Sequence, residues 1–394
     1  MRDNQERLLS LDVLRGMDMF LLTVIGPLVW VVNEIHALPN PLLYQFTHPW
    51  EGFALWDMIM PCFLFMCGAA IPLSLERRLV DGRPGPGFWF HVFKRVAMLW
   101  VLGLLVQGQL LSWDLMNIRP YNNTLQTIAA GYLITAVVIL IPSMKLRIAV
   151  AIAFFVLYGA LVHFLGDYTM TGNFAEICEQ KTLAALLPEG HKALHELGPL
   201  GYLEQLPDGS WINRLGETGE IHYTWILTTL MFGFMTLFGY FSQKILQGTC
   251  AASIRALRLF ALGVFALAIG WLLALCGVKV VKHIFTVSFT AQAMGWCAIA
   301  LAVLYWIVDG LGFYHGLSPF VLFGRASLLA YVLGEFFWPC LTYVGEFLSV
   351  GVAERWKGLV AWGIAEVMLV GALWLRNKWR MMKLHYEDAD AEIC

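Results

Sequence analysis

The sequence predicts an all-α polytopic membrane protein of about ten transmembrane helices, with both termini on the cytoplasmic side. Hydrophobic residues fill 59% of the 394 positions and charged residues only 14%, where a soluble domain carries roughly 25% charged residues. Apolar runs of about 20 residues, the length that crosses a bilayer core, follow one another along the whole chain. Lys and Arg are dense in alternate connections between these runs.

The first run, 14–35, follows Arg2, Arg7 and Arg15. No small-residue cleavage site comes after it, so it is expected to be a span and not a signal peptide. Further spans are expected at 53–75, 92–112, 123–142 and 147–166, the last short and containing His163. A hydrophilic stretch then runs through 167–221, rich in Glu (Glu176, Glu179, Glu189, Glu196, Glu204, Glu217 and Glu220) and expected to cap the outer face. Spans resume at 222–243, 258–277 and 285–308. The segment 318–344 is interrupted by Arg325, Glu335 and Pro339, so a break or a tilt is expected there. The last span is expected at 357–376.

With the N-terminus inside, Lys and Arg favour the inner connections by roughly two to one, which sets the orientation. It places the connection before the second span, with His48, on the outer side. One transmembrane domain over 1–394 is expected, with the extracytoplasmic loop at about 167–221. The setting is a lipid bilayer, and the extensive apolar surface leaves room for a homodimer seam. The net charge of −2 provides no basic field for phosphates, which excludes nucleic acid as a partner. The eight cysteines are scattered, mostly in apolar runs, with no CxxC and no His/Cys ligand spacing, so no metal site is expected.

Candidate chemistry concentrates in Thr47-His48-Pro49-Trp50-Glu51-Gly52, with Asp57 opening the apolar run behind it. An ionisable side chain inside a span is expensive, so Asp57 is expected either to stay protonated or to pair. His48 is its nearest partner in sequence. A carboxylate behind a histidine fixes the tautomer and raises the basicity of the far nitrogen, which suits proton removal from an attacking amine or hydroxyl. A histidine at an aromatic boundary can equally be a hydrogen-bonded wedge. Pro61 is expected to loosen the second span. Asp12 and Arg15, three residues apart, are expected to share a helix face and pair. Arg119, Gln126, Lys282 and Ser288 stand at outer span entrances, where they would bind an anionic ligand, snorkel or join helices.

These residues also carry a likeness. Ser10-Leu11-Asp12-Val13-Leu14-Arg15-Gly16, the block His48…Trp50-x-Gly52…Asp57…Pro61-x-Phe63-Leu64-Phe65…Gly68, and Ser74-Leu75 resemble the heparan-α-glucosaminide N-acetyltransferase family. Further agreement runs through Arg119…Leu125-Gln126-x-Ile128-Ala129…Tyr132-Leu133, Phe285-Thr286-x-Ser288-Phe289 and Phe323-Gly324…Tyr331. The resemblance implies transfer of acetyl from cytoplasmic acetyl-CoA, as co-substrate, to the amino group of a glucosamine-type sugar or glycan on the far side. It implies His48 as general base or acetyl acceptor and Asp57 as its orienting carboxylate. It further suggests Arg119, Gln126, Lys282 and Ser288 as cofactor or sugar contacts, in a multi-pass protein of a bacterial inner membrane. The His48–Trp50 interval is one residue shorter than is usual in the family, and altered outer-face residues imply an acceptor other than heparan sulfate. Two alternatives stay open: a proton-coupled amino-sugar carrier relaying through Asp57, His48 and Glu335, or an inactive scaffold of the same family.

Overall fold

The computed structural model describes residues 8–106, 121, 123–170, 172–186, 204–205, 211–212, 223–348 and 352–393. Helix dominates them, in the order α1 (Leu9–Ile35), α2 (Leu55–Arg78), α3 (Phe88–Val106), α4 (Thr124–Val138), α5 (Met144–Leu165) and α6 (Phe174–Leu186), then α7 (Thr229–Leu246), α8 (Ala252–Leu275), α9 (Val287–Gly310), α10 (Ser318–Arg325), α11 (Ser327–Leu348) and α12 (Glu354–Ile393). The strands among the described residues are two-residue pairs, Leu79–Val80 with Arg83–Pro84 and Glu204–Gln205 with Trp211–Ile212.

Among the described residues, seven stretches are long and apolar enough to cross a membrane: α1, α2, α3, α5, α8, α9 and Trp356–Trp379 within α12. The described residues of each of the ten expected segments include a helix, yet three of those helices fall short of that standard. α4 has only 15 residues. α7 is diluted by Ser242, Gln243 and Lys244 near its end. The 318–344 segment divides at Ala326, whose backbone (φ −120°, ψ 20°) leaves the helical region. The break therefore falls beside Arg325, while α11 continues through Pro339.

The chain forms two compact units, Met1–Phe46 with Leu304–Cys394, and Thr47–Val303. In the first, α1 crosses α10 at glycines on both helices. A Cβ on Gly16 would lie 1.7 Å from the Phe320 carbonyl oxygen, and one on Gly324 would lie 1.8 Å from that of Asp12. The start of α1 is held by Asp309, whose carboxylate accepts from the Leu9 and Ser10 N–H groups at 3.1 Å each. An anion on free N–H groups there is favoured by the helix dipole. Asp12 and Arg15 pair at 3.6 Å, as their spacing predicts.

The second unit is built around α2, most of which is buried. It crosses α7 by the same device: a Cβ on Gly68 would sit 1.8 Å from the Thr236 carbonyl oxygen, and one on Gly239 would sit 1.9 Å from that of Phe65. Without a hydrophobic drive between spans in lipid, this close backbone approach is what binds the helices. Pro61 occupies the first turn of the α-helical part of α2, just after the 3-10 turn Leu55–Met58. A missing N–H costs little at that point, so Pro61 marks a helix start and does not loosen the span. At the other end of α2, Glu76 receives Lys244 at 2.5 Å, Arg147 at 3.3 Å and the Tyr240 hydroxyl at 2.8 Å, and Arg147 also donates to Tyr240.

A candidate His–Asp–Lys site at the mouth of α2

Asp57 lies in the 3-10 turn that opens α2 and is fully buried. The turn orients it: Oδ2 accepts from the Ala54 N–H at 3.0 Å, while the Asp57 N–H donates to the Ala54 carbonyl at 3.1 Å. That leaves Oδ1 for partners outside the turn. His48 Nδ1 lies 2.7 Å from it, so the sequence expectation of a pair is met. In the Nδ1–H tautomer the ring donates to Asp57 and keeps the Nε2 lone pair for chemistry.

The third member comes from a loop far along the chain. Lys282 Nζ lies 2.9 Å from His48 Nδ1, 3.4 Å from His48 Nε2 and 3.4 Å from Asp57 Oδ1, with the residue only 4% exposed. Sequence reasoning read Lys282 as a cofactor or sugar contact or as a snorkelling lysine. Its observed partners are instead the imidazole and the carboxylate, 234 and 225 residues away in the chain. Only the fold joins them.

Burial lowers the His48 pKa below its usual 6.5; the bond to Asp57 pulls it back up and the Lys282 charge pushes it down again. The ring is therefore neutral at pH 7. Burial also lowers Lys282, to about 8, against the opposing pull of Asp57. At pH 7 this ammonium is charged but within about one unit of losing its proton.

An aromatic wall surrounds the cluster. His283 stacks on Trp50 (centroids 5.1 Å apart, 20° between planes) and leans on Tyr223 (4.7 Å, 34°). His48 meets the rings of Tyr223 and His283 edge-on at 6.4 and 6.3 Å, and Lys282 Nζ lies 5.5 Å from the Tyr223 ring centre. Burial raises the Tyr223 hydroxyl above its usual 10, so it stays protonated. Trp50 is fixed by donating Nε1–H to the Tyr168 carbonyl at 2.8 Å.

Two loops hold these groups. In the first, Gly52 adopts φ +127°, open to glycine alone, and donates its N–H to the Val280 carbonyl at 2.8 Å. Glu51 and Lys279 pair alongside at 2.7 Å in solvent. The second loop, 276–286, is tied to the start of α9. Ser288 Oγ donates to the Lys279 carbonyl at 2.8 Å, and the Val281 N–H donates to Thr286 Oγ1 at 3.1 Å. Phe285 holds φ +44°, an uncommon conformation for a bulky residue. Ser288 thus spends its hydroxyl on the loop that presents Lys282, where the sequence suggested a ligand contact.

Gln126 is likewise committed locally, its Oε1 accepting from the Asn123 N–H at 3.0 Å in the capping box of α4. Arg119 lies outside the described residues. The described part of the 167–221 loop forms α6 and buries Glu179, whose Oε2 accepts from the Trp225 N–H at 2.7 Å. Burial raises that carboxyl to about 8. In sequence it was one of many loop glutamates with nothing to single it out. Against models of known protein families the chain finds no match, and no curated protein matches it.

Proposed function

We propose that this chain is a membrane-embedded acetyltransferase that takes acetyl from acetyl-CoA and delivers it to the amino group of a glucosamine-type sugar, with His48 as the reacting imidazole. The observation that carries the reading is the buried set of contacts around one ring: Asp57 at 2.7 Å and Lys282 at 2.9 Å from Nδ1. Such a set is costly within a membrane protein and does little for packing. The resemblance of the flanking residues to the acetyltransferase family supports the same choice. The Lys and Arg distribution supports an outer position for His48, so in this reading of about ten spans in a bacterial inner membrane the donor is cytoplasmic and the acceptor lies outside.

Two routes use the same groups. In the stepwise route, neutral Nε2 attacks the thioester carbon and the C–S bond breaks. The thiolate leaves with the electron pair and takes up a proton, giving free CoA and an acetylated imidazole. The sugar amine then attacks that acetyl, the C–N bond to the ring breaks, and the ammonium proton passes to Nε2 or solvent. In the direct route the amine attacks the thioester while Nε2 accepts its proton. Either route requires the ring to start neutral, as it is at pH 7. Asp57 holds Nδ1–H and steadies positive charge on the ring, and the Lys282 ammonium lies close enough to polarise an acyl oxygen brought to Nε2. Trp50 and Tyr223, the partly exposed rings of the aromatic wall, suit the C–H face of a pyranose.

The test is turnover of radiolabelled acetyl-CoA with glucosamine by protein in detergent, comparing wild type, His48→Ala and Asp57→Asn. Acetyl transfer in wild type and its loss in His48→Ala, with acetyl-CoA binding retained, is the expected result. Undiminished transfer in His48→Ala removes the assignment. Amino-sugar uptake into proteoliposomes without acetyl-CoA consumption replaces it with the carrier reading.

A further inference from the structure

The second unit has another concave feature, of a different kind from the polar site. A cavity of 750 Å³ lies between α5, α7, α8 and α9. Its lining is aliphatic and aromatic, including Ile148, Phe238, Phe265 and Met294, and among the described residues Lys244 is its one charged member. Several lining side chains also face outward: Ile148 is 41% exposed, Ile152 54% and Phe265 63%. It is therefore a groove open along the flank of the helices.

Length, position and charge identify what fits it. On α5 the lining extends from Met144 to Phe155, about 16 Å at ~1.5 Å per residue. That is close to half of the ~30 Å hydrocarbon core, or one leaflet. Its volume is in the ~300–1,000 Å³ range of pockets that enclose small ligands. The charged end is fixed by Lys244, which pairs with Glu76 at the end of α2 away from Asp57. The groove thus begins at the membrane boundary opposite His48 and stops near mid-depth. At that boundary Lys244 and Arg147 share one carboxylate, Glu76, which leaves a surplus positive charge, and exposed Lys145 adjoins Met144.

We propose that this groove seats an acyl chain of an anionic phospholipid from the leaflet opposite His48, with its phosphate at Lys244. An apolar slot one leaflet long with a net-positive mouth matches the two halves of such a lipid, and a zwitterionic headgroup would leave the surplus charge unanswered.

The experiment is native mass spectrometry of the full-length protein, released from detergent after equilibration with equimolar phosphatidylglycerol and phosphatidylethanolamine of identical chains. Wild type is expected to retain one phosphatidylglycerol per chain, favoured about five-fold over phosphatidylethanolamine. Lys244→Gln, a partly exposed position whose partner Glu76 keeps Arg147, should bring that preference close to unity. Ala266→Trp, on the groove wall, should abolish retention of both lipids. Ile152→Trp on the exposed rim should do the same without burdening the core, should the Ala266 variant fold poorly. Equal retention of the two lipids by wild type, retention of neither, an unchanged preference in Lys244→Gln, or full retention in Ile152→Trp would each overturn the proposal.

Discussion

Asp57 has no solvent to satisfy it, and three groups do so instead: the Ala54 N–H, the His48 ring and the Lys282 ammonium. Because Lys282 lowers and Asp57 raises the His48 pKa, each has its own signature in a pH profile. Acetyl transfer should rise through the His48 pKa, below 6.5, level off near neutrality, and fall above about 8 as Lys282 loses its proton. Lys282→Met removes a cation that disfavours imidazolium, so the acidic limb should move to higher pH and the alkaline limb should vanish, while Lys282→Arg should keep the acidic limb in place. An acidic limb indifferent to Lys282→Met would show that the ammonium does not act on this ring. Loss of the imidazole in His48→Ala should reduce turnover about 10²- to 10⁴-fold, the usual range for a positioned general base. His48 and Asp57 were legible in the sequence because they are nine residues apart and a carboxylate at the mouth of a span demands a partner. Lys282 was visible only as a boundary lysine, since no local pattern distinguishes a snorkelling lysine from one folded back onto a distant ring.

Among the helices, the reciprocal glycine crossings decide how closely neighbours approach. Gly239→Leu should clash with the Phe65 carbonyl of α2, which cannot move without carrying the helix with it. The destabilisation should reach or pass the ~3 kcal/mol top of the usual range for overpacking, read as a lower melting temperature in detergent. Gly363→Leu, where an added side chain meets open space, is the control. An equal effect at both positions would deny the crossing its role. In the loop before α2, Gly52→Ala puts a side chain at φ +127° and should displace the strap to Val280. It should cost acetyl transfer more than stability, and equal losses would mean the loop only supports the fold. Helix positions were readable from apolar runs, and so was the interruption near Arg325. Its placement at Ala326 was not, because Pro339 is the stronger sequence signal and is nevertheless accommodated within α11. α6 was missed because a glutamate-rich stretch shows no apolar face until Glu179 is seen to bind the Trp225 N–H.

For the molecule as a whole, composition announced a helical membrane protein, and seven helices among the described residues are long and apolar enough for crossing. The division into two units joins Met1–Phe46 to Leu304–Cys394, ends of the chain far apart in sequence, and no hydropathy pattern reports such a union. The orientation rests on Lys and Arg counts and has a direct check. In cells whose native cysteines have been replaced, a cysteine at Glu51, 53% exposed by side chain, should react with a membrane-impermeant maleimide from outside. One at Lys244 should react only after lysis. The reverse pattern would invert the topology and with it the sides assigned to donor and acceptor.

The ammonium beside His48 hangs from a short arch whose footing is the opening turn of α9, through the hydroxyls of Thr286 and Ser288. Unwinding that one turn would withdraw the cation from the ring without disturbing the carboxylate, which is rooted in α2. The two charges that tune the imidazole can therefore be released separately, and whatever tugs on α9 acts as a dial for the basicity of a residue it never touches.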